Sequence, residues 1–146
     1  MTTHLKTLLF ITTVVLLGLY SITLLAQSPT MPEHEKINYL EYPAKDLAAT
    51  KEFFTKVFNW SFVDYGPDYV SFSNQGVDGG FFRANLASST KNGAALTVFY
   101  SDDLEATLAK VAAGGGEIIK PIFSFPGGRR FHFTEPSGNE FAVWGN

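Results

Sequence analysis

Apolar and polar residues follow two periodicities between residues 35 and 146, and the two periodicities occur in the same order twice. Short alternating runs rich in strand-forming residues predict β-strands, and two segments with apolar residues at helical spacing predict α-helices. The apolar helix positions are Leu47, Phe53, Phe54, Val57 and Phe58 in the first segment and Leu104, Leu108, Val111 and Ala112 in the second. Each half therefore has the predicted order strand, helix, strand, strand, strand.

A short sequence repeat supports an internal duplication. Asp-Leu-Ala-Ala-Thr at residues 46–50 returns as Asp-Leu-Glu-Ala-Thr at residues 103–107. Each copy follows a predicted strand and opens a predicted helix, where aspartate is a favoured N-cap. Repeats with matching flanks indicate two copies of one supersecondary unit.

Asparagine, glycine and proline residues set the predicted ends of the helices and strands. Asn59 is predicted to end the first helix and the glycines at 114–116 the second, while Pro43 and Pro121 are predicted to end strands. The predicted strands are 37–42, 60–65, 69–73, 79–83, 95–100, 117–120, 129–134 and 139–144, with 123–125 extended. The expected fold is α+β, with two tandem βαβββ modules that form a curved eight-stranded mixed sheet around a cavity.

The N-terminal segment has a different character. Residues 7–26 contain no charged side chain, and about 20 apolar residues suffice to span a bilayer. We expect one N-terminal hydrophobic helix, a signal peptide or signal-anchor over residues 1–27, then a linker over 28–34 and the domain over 35–146. Cleavage after Ala26 and an uncleaved anchor both place the domain in the periplasm or at the cell exterior.

Composition excludes several function classes. The sequence contains no cysteine, which excludes disulfides, thiolate nucleophiles and Cys-ligated metals. The net charge of −3 and the lack of a basic stripe argue against nucleic-acid binding.

The first predicted strand can be assigned two faces. Leu40 and Tyr42 are expected to pack on the helix, which places Tyr39 and Glu41 on the concave side of the sheet. Glu41 is then the carboxylate expected to face the cavity.

Three motifs carry a family resemblance. They are Leu40-Glu41-Tyr42-Pro43 in the first strand, Phe58-Asn59-Trp60 after the first helix and Glu135-Pro136-Ser137-Gly138-Asn139 before the last strand. With the duplicated βαβββ order, they make residues 35–146 similar to the vicinal oxygen chelate superfamily. That superfamily comprises glyoxalases, bleomycin-resistance proteins and extradiol dioxygenases, and the glyoxalase-like branch is the most similar. The resemblance implies a small-molecule ligand and a homodimer.

Active members of that superfamily hold a divalent metal, and this sequence departs from them at the ligand positions. The matching residues are Asn38 or Tyr39, Ala95 or Leu96, Ala142, and Ser71, Phe72 or Phe81. None is a histidine or a carboxylate, so no metal cofactor is expected.

The remaining polar candidates are few. His4 falls in the leader and His34 in the linker, which leaves His132 as the histidine inside the expected fold. His132 is open to three roles: a metal ligand, a hydrogen-bonding partner of a bound molecule, or a structural residue. Glu135 and Glu140 are expected to be solvated.

Three functions follow as hypotheses. The first is a metal-independent module that binds a small hydrophobic or aromatic molecule through Tyr39, Glu41, Arg130, His132 and Trp144. The second is a lyase or isomerase that uses Glu41 or His132 as acid or base. The third is a membrane-tethered interaction domain without a ligand.

Overall fold

The computed structural model describes residues 32–146, which contain eight strands, two α-helices and one 3-10 helix. The first half comprises β1 (Tyr39–Ala44), α1 (Leu47–Phe58), β2 (Phe62–Asp64), β3 (Tyr69–Phe72) and β4 (Asp78–Arg83). A connector with a 3-10 helix (Thr90–Asn92) leads to β5 (Thr97–Tyr100), α2 (Leu104–Ala113), β6 (Glu117–Phe125), β7 (Gly128–Thr134) and β8 (Glu140–Gly145). The predicted order of elements is confirmed in both halves.

The predicted leader, residues 1–27, lies outside the described residues, as does the linker up to residue 31. Within residues 32–146, no helix has the length and apolar character needed to cross a membrane.

The strands form two four-stranded mixed sheets, with orders β1-β4-β3-β2 and β5-β8-β7-β6. In each sheet the first strand runs parallel to its neighbour and the other pairs are antiparallel. The prediction of one continuous eight-stranded sheet was therefore wrong. β1 and β5 are each an edge of their own sheet, and a hydrogen bond between the side chains of Tyr42 and Thr97 (2.6 Å) connects them.

Two prolines lie inside strands that they were expected to end. β1 runs through Pro43 and β6 through Pro121. Both are edge strands, where a residue without an amide hydrogen is tolerated. At Pro121 the β6–β7 pairing also shifts register between Lys120 and Phe123, so the missing donor falls within an irregular part of the ladder.

The helix caps follow the predictions. The Asp46 side chain accepts hydrogen bonds from the amides of Ala48 and Ala49, and Asp103 caps α2 through the amide of Ala106. Asn59 ends α1 in the left-handed conformation, with φ of 58°. Each aspartate cap contributes about 1 kcal/mol to stability.

Aromatic residues dominate the core between α1 and both sheets. Phe54 packs on Phe81 of β4 and Phe141 of β8, both at 5.4 Å between ring centroids. Phe53 packs on Phe133 of β7. α1 and α2 both contribute to this core, and the polar side chains considered as site residues lie on the opposite sheet faces, which carry no α-helix.

Candidate functional site

The helix-free face of the first sheet carries a chain of three polar side chains. Tyr69 Oη donates to Glu41 Oε1 at 2.9 Å, and Tyr39 Oη lies 2.8 Å from Tyr69 Oη. Because the Tyr69 proton is directed to Glu41, Tyr39 is the donor in the second bond. Tyr39 and Glu41 thus lie on the face opposite Leu40 and Tyr42, as expected from the alternation.

Burial and the hydrogen bonds with Tyr39 and Glu41 raise the pKa of Tyr69 well above its ordinary value. Its phenol therefore stays neutral and remains a donor at physiological pH. The chain presents an oriented pair of hydroxyls beside a carboxylate, which suits hydrogen bonding to a polar group on a ligand.

Gly80 makes this arrangement possible. It lies on β4 between Glu41 of β1 and Ser71 of β3. A Cβ at Gly80 would collide with the Tyr69 hydroxyl and ring carbon. The absence of a side chain at Gly80 therefore leaves room for the Tyr69 phenol on this face of the sheet.

A groove of about 610 Å³ lies beside this chain. Its lining combines aromatic, aliphatic and polar residues, namely Tyr39, Val63, Tyr65, Tyr69, Ser71, Phe72, Ser73 and Asp78. Tyr65 and Val63 are 64% and 57% exposed, which is high for large apolar side chains. Its volume falls within the range of small-molecule sites, and its wall is open to solvent at Tyr65 and Val63.

The second sheet carries His132 on its helix-free face, and the side chain is buried, with 2% exposure. His132 Nδ1 lies 3.0 Å from Glu140 Oε1, and His132 Nε2 has no hydrogen-bond partner among residues 32–146. Glu140 also accepts from the Ser89 hydroxyl and from the amide and hydroxyl of Thr90.

Burial alone would raise the pKa of Glu140, but its hydrogen bonds from His132, Thr90 and Ser89 together lower that pKa to about 2. Glu140 is therefore ionised at neutral pH and can only accept. His132 Nδ1 must carry the proton, so a neutral His132 presents a lone pair at Nε2. A carboxylate that fixes the tautomer of a histidine is an arrangement found in acid–base sites, and the Nε2 that such chemistry would use is buried here.

Arg130 and Trp144 lie on the same face as His132. They are register partners on β7 and β8, and His132 is two residues beyond Arg130 on β7. The guanidinium of Arg130 lies over the rings of Phe123 and Phe125, at 5.2 and 5.1 Å from their centroids. Trp144 contacts Tyr100 with an edge-to-face geometry. The five predicted binding residues thus form two groups, Tyr39 and Glu41 on the first sheet and Arg130, His132 and Trp144 on the second.

Glu135 is a buried residue whose side chain connects separate segments of the chain through hydrogen bonds. Its side chain accepts from the Thr50 hydroxyl, from the amides of Ser137 and Asn139, and from the Asn139 side chain. The Asn139 side chain also donates to the carbonyl of Pro43 and accepts from the amide of Ser88. The Glu-Pro-Ser-Gly-Asn motif therefore joins the β7–β8 turn to β1, α1 and the connector. The prediction that Glu135 and Glu140 are solvated was wrong, because both side chains accept buried donors from distant segments.

Comparison with known proteins identifies the family. Residues 36–143 match the sequence profile described as Glyoxalase/Bleomycin resistance protein/Dioxygenase superfamily. The chain belongs to this superfamily. The resemblance of its three motifs is thereby confirmed.

Relatives within this glyoxalase-like superfamily differ in what they are named for. Anthracycline biosynthesis protein DnrV of Streptomyces peucetius is 30% identical over 124 residues, covering 73% of this chain and 45% of the relative. The chain thus spans less than half the length of the curated relatives it matches. TnmS3, an antibiotic binding protein from Streptomyces sp. CB03234, superposes with a TM-score of 0.58 at 15% identity, covering 79% and 98% of the two chains.

The fosfomycin resistance protein FosX of Listeria monocytogenes superposes with a TM-score of 0.63 at 18% identity, covering 77% of this chain and 90% of FosX. Its structure contains Mn(II) and a dihydroxypropylphosphonic acid. At these identities, the likeness to TnmS3 and FosX shows the fold.

The residues at the superfamily's metal positions do not fit a divalent ion. The matched position on β8 is Ala142, a buried methyl group paired in register with His132. Tyr39 on β1 uses its hydroxyl on Tyr69, and residues 32–146 contain no group of three or more His, Asp or Glu side chains with metal-binding geometry. Absence of a metal cofactor stays a prediction.

Sequence reasoning missed Tyr69 and Glu140 as partners of the site. Tyr69 has a usable signal, because alternation along β3 places it with Ser71 on the helix-free face. Glu140 shares a face with Ala142 and Trp144 by the same rule. The hydroxyls of Ser89 and Thr90 have no such signal, since they lie in a connector about 50 residues earlier.

Proposed function

We propose that this domain binds a small hydrophobic or aromatic molecule on its helix-free sheet faces, without a metal and outside the cytoplasm. The observation that carries the proposal is the aromatic-lined groove of about 610 Å³ on the first sheet. Small-molecule sites combine such apolar walls with a few convergent polar groups.

The polar groups have definite tasks in this proposal. Tyr39, Tyr69 and Glu41 orient a polar substituent at the edge of the groove, while Tyr65 and Val63 cover the apolar part of the ligand. Arg130, His132 and Trp144 contact the ligand on the second sheet. The antibiotic-binding name of TnmS3, which shares the fold, supports a binding role.

A screen of neutral aromatic compounds against the purified full chain, by native mass spectrometry, tests the binding proposal. The best binder is then titrated against Tyr65→Ala and Leu86→Ala, which remove side chains of equal exposure, 64% each. Tyr65 lines the groove and Leu86 lies in the connector, so we expect a loss of at least tenfold in affinity for Tyr65→Ala and less than twofold for Leu86→Ala.

Metal independence is tested in the same preparation. We expect no retained divalent ion and no change in melting temperature with nickel, zinc, manganese or ferrous iron. A stoichiometric metal would contradict this part of the proposal. Equal effects of the two substitutions would contradict the groove, and a complete absence of binders would favour an interaction domain without a ligand.

The pairing of Glu140 with His132 favours a second candidate, a lyase- or isomerase-type enzyme with His132 as the acid or base. Glu140 would fix the tautomer, and His132 Nε2 would exchange a proton with a bound substrate. Turnover of a compound found in the screen, abolished by His132→Gln and retained by Leu86→Ala, would favour this candidate over passive binding.

Homodimer formation and export are further predictions. Sedimentation of the full chain tests the first, and fractionation of the producing cell tests the second.

A further inference from the structure

Arg130 differs from the other two arginines of the chain in its partners. Arg83 donates to the carbonyl of Pro67 and to Asp68, and Arg129 is paired with Glu105. Arg130 Nε is buried and has no hydrogen-bond partner among residues 32–146, and none of the carboxylates in that range forms a salt bridge with Arg130.

The contacts that Arg130 does make are with aromatic faces. Its guanidinium carbon lies 5.2 Å from the centroid of Phe123 and 5.1 Å from that of Phe125. These rings attract the Arg130 cation and fix the plane of its guanidinium group, but they accept no conventional hydrogen bond. An arginine is always charged and carries five N–H donors, so a fixed guanidinium without an acceptor is prepared for a planar anion.

His132 provides a second unpartnered nitrogen on the same face. It is two residues from Arg130 on β7, and alternate residues of a strand are about 7 Å apart on one face. Glu140 holds its Nδ1, and its buried Nε2 has no partner in residues 32–146. Once protonated, Nε2 is a donor to the same anion.

Aromatic side chains lie next to Arg130 on the neighbouring strands. Trp144 is the register partner of Arg130, and Tyr100 is the register partner of Trp144 on β5. Tyr100 is 55% exposed and its ring centroid lies 5.1 Å from that of Trp144. These two rings offer an apolar surface next to the cation.

We propose that Arg130 and His132 form a carboxylate-binding subsite and that the ligand of this domain is an aromatic carboxylic acid. Arg130 binds the carboxylate through its planar fork, the imidazolium form of His132 donates to it through Nε2, and Trp144 and Tyr100 cover the ring of the ligand. The inference rests on the proposed binding function and assigns it a ligand class.

The probe pair is 2-naphthoate and its neutral analogue 2-naphthamide, titrated into the full chain by isothermal calorimetry. The chain offers a matched control, because Arg129→Gln and Arg130→Gln remove the same charge from adjacent residues. We expect Arg130→Gln to weaken 2-naphthoate binding by about 10- to 100-fold, as for loss of charge-assisted hydrogen bonds. Arg129→Gln should change it by less than twofold, and neither variant should affect 2-naphthamide.

Two further measurements complete the test. The first locates the binding site, and the second keeps the test valid if Arg130→Gln does not fold. The chain has two tryptophans, and Trp60 is buried in the core, so the indole N–H resonance of Trp144 should move on addition of 2-naphthoate while that of Trp60 stays. Arg130→Lys keeps the charge and loses the fork, and we expect it to weaken binding by several-fold if Arg130→Gln does not fold.

Equal effects of the two glutamine variants, or equal affinity for 2-naphthoate and 2-naphthamide, would overturn the subsite. Neutral aromatic compounds that still bind in the groove would in that case leave the proposed function standing. Failure of every aromatic compound, charged or neutral, would overturn both proposals.

Discussion

The two ends of the β7–β8 connection each bury a glutamate, and the environment shifts their pKa values in opposite directions. Glu135 is 2% exposed and Glu140 is 4% exposed, and each accepts four hydrogen bonds. Burial raises the pKa of Glu135 in spite of its donors, whereas the donors to Glu140 outweigh its burial and lower its pKa to about 2.

The partners explain the difference. The residues that donate to Glu135, namely Thr50, Ser137 and Asn139, are themselves buried and uncharged. Glu140 lies beneath Ser89 and Thr90, which reach the surface, and it also contacts the ring of His132. Equal side-chain exposure and an equal number of hydrogen bonds therefore do not fix the sign of a pKa shift. Desolvation is the larger cause for Glu135, which lies deep in the protein, whereas the hydrogen bonds together outweigh desolvation for Glu140, which lies closer to the surface.

Replacing Asn139 by alanine should have the largest effect, because its side chain joins both regions. The substitution leaves the Ser88 amide and the Pro43 carbonyl without their partners and removes one donor from Glu135. We expect a loss of about 3–5 kcal/mol in the free energy of unfolding, measured with urea on the full chain. Asn92→Ala, at an exposed position, is the control and should cost less than about 1 kcal/mol. Similar losses for both variants would show that the hydrogen bonds of the Asn139 side chain contribute little.

Glu140→Gln should have the next largest effect. The substitution removes a charged acceptor from three donors and from His132, so we expect a loss of about 2–3 kcal/mol at pH 7. Since the pKa of Glu140 is lowered from 4.5 to about 2, its contribution is present above pH 4.5 and is lost as the pH falls toward 2. The difference between wild type and Glu140→Gln should therefore shrink in acid. A difference that grows between pH 4.5 and pH 2 would contradict the assignment.

Glu135→Gln should have the smallest effect at neutral pH, about 1–2 kcal/mol. The raised pKa of Glu135 means that its contribution is fully present below 4.5 and is lost as the pH rises through the folded-state value. The cost of the substitution should therefore be largest in acid and should decline toward pH 7, opposite to Glu140→Gln. Urea titrations of both variants at several pH values give the change with pH in the free-energy cost of each substitution. If the two costs change with pH in the same direction, the opposite pKa shifts of Glu135 and Glu140 are refuted.

Local features were predictable from the sequence and long-range ones were not. The caps at Asp46 and Asp103 and the faces of the first strand follow from rules that act over a few residues. The division into two sheets depends on which strands pair, and β1 pairs with β4 across more than 30 residues of chain. The sequence also leaves Glu135 next to a proline turn, which is typical of a solvated carboxylate. Its partner Thr50 lies 85 residues earlier in the chain, where no local pattern identifies it.

The irregular course of β6 has a consequence for assembly. Nine residues of this strand form an outer edge of the second sheet, and a long flat edge would offer its main chain to a second molecule. Pro121 lacks an amide donor, Lys120 beside it is exposed, and the two register shifts bend the strand. Growth of the sheet from molecule to molecule along this strand edge is thereby discouraged.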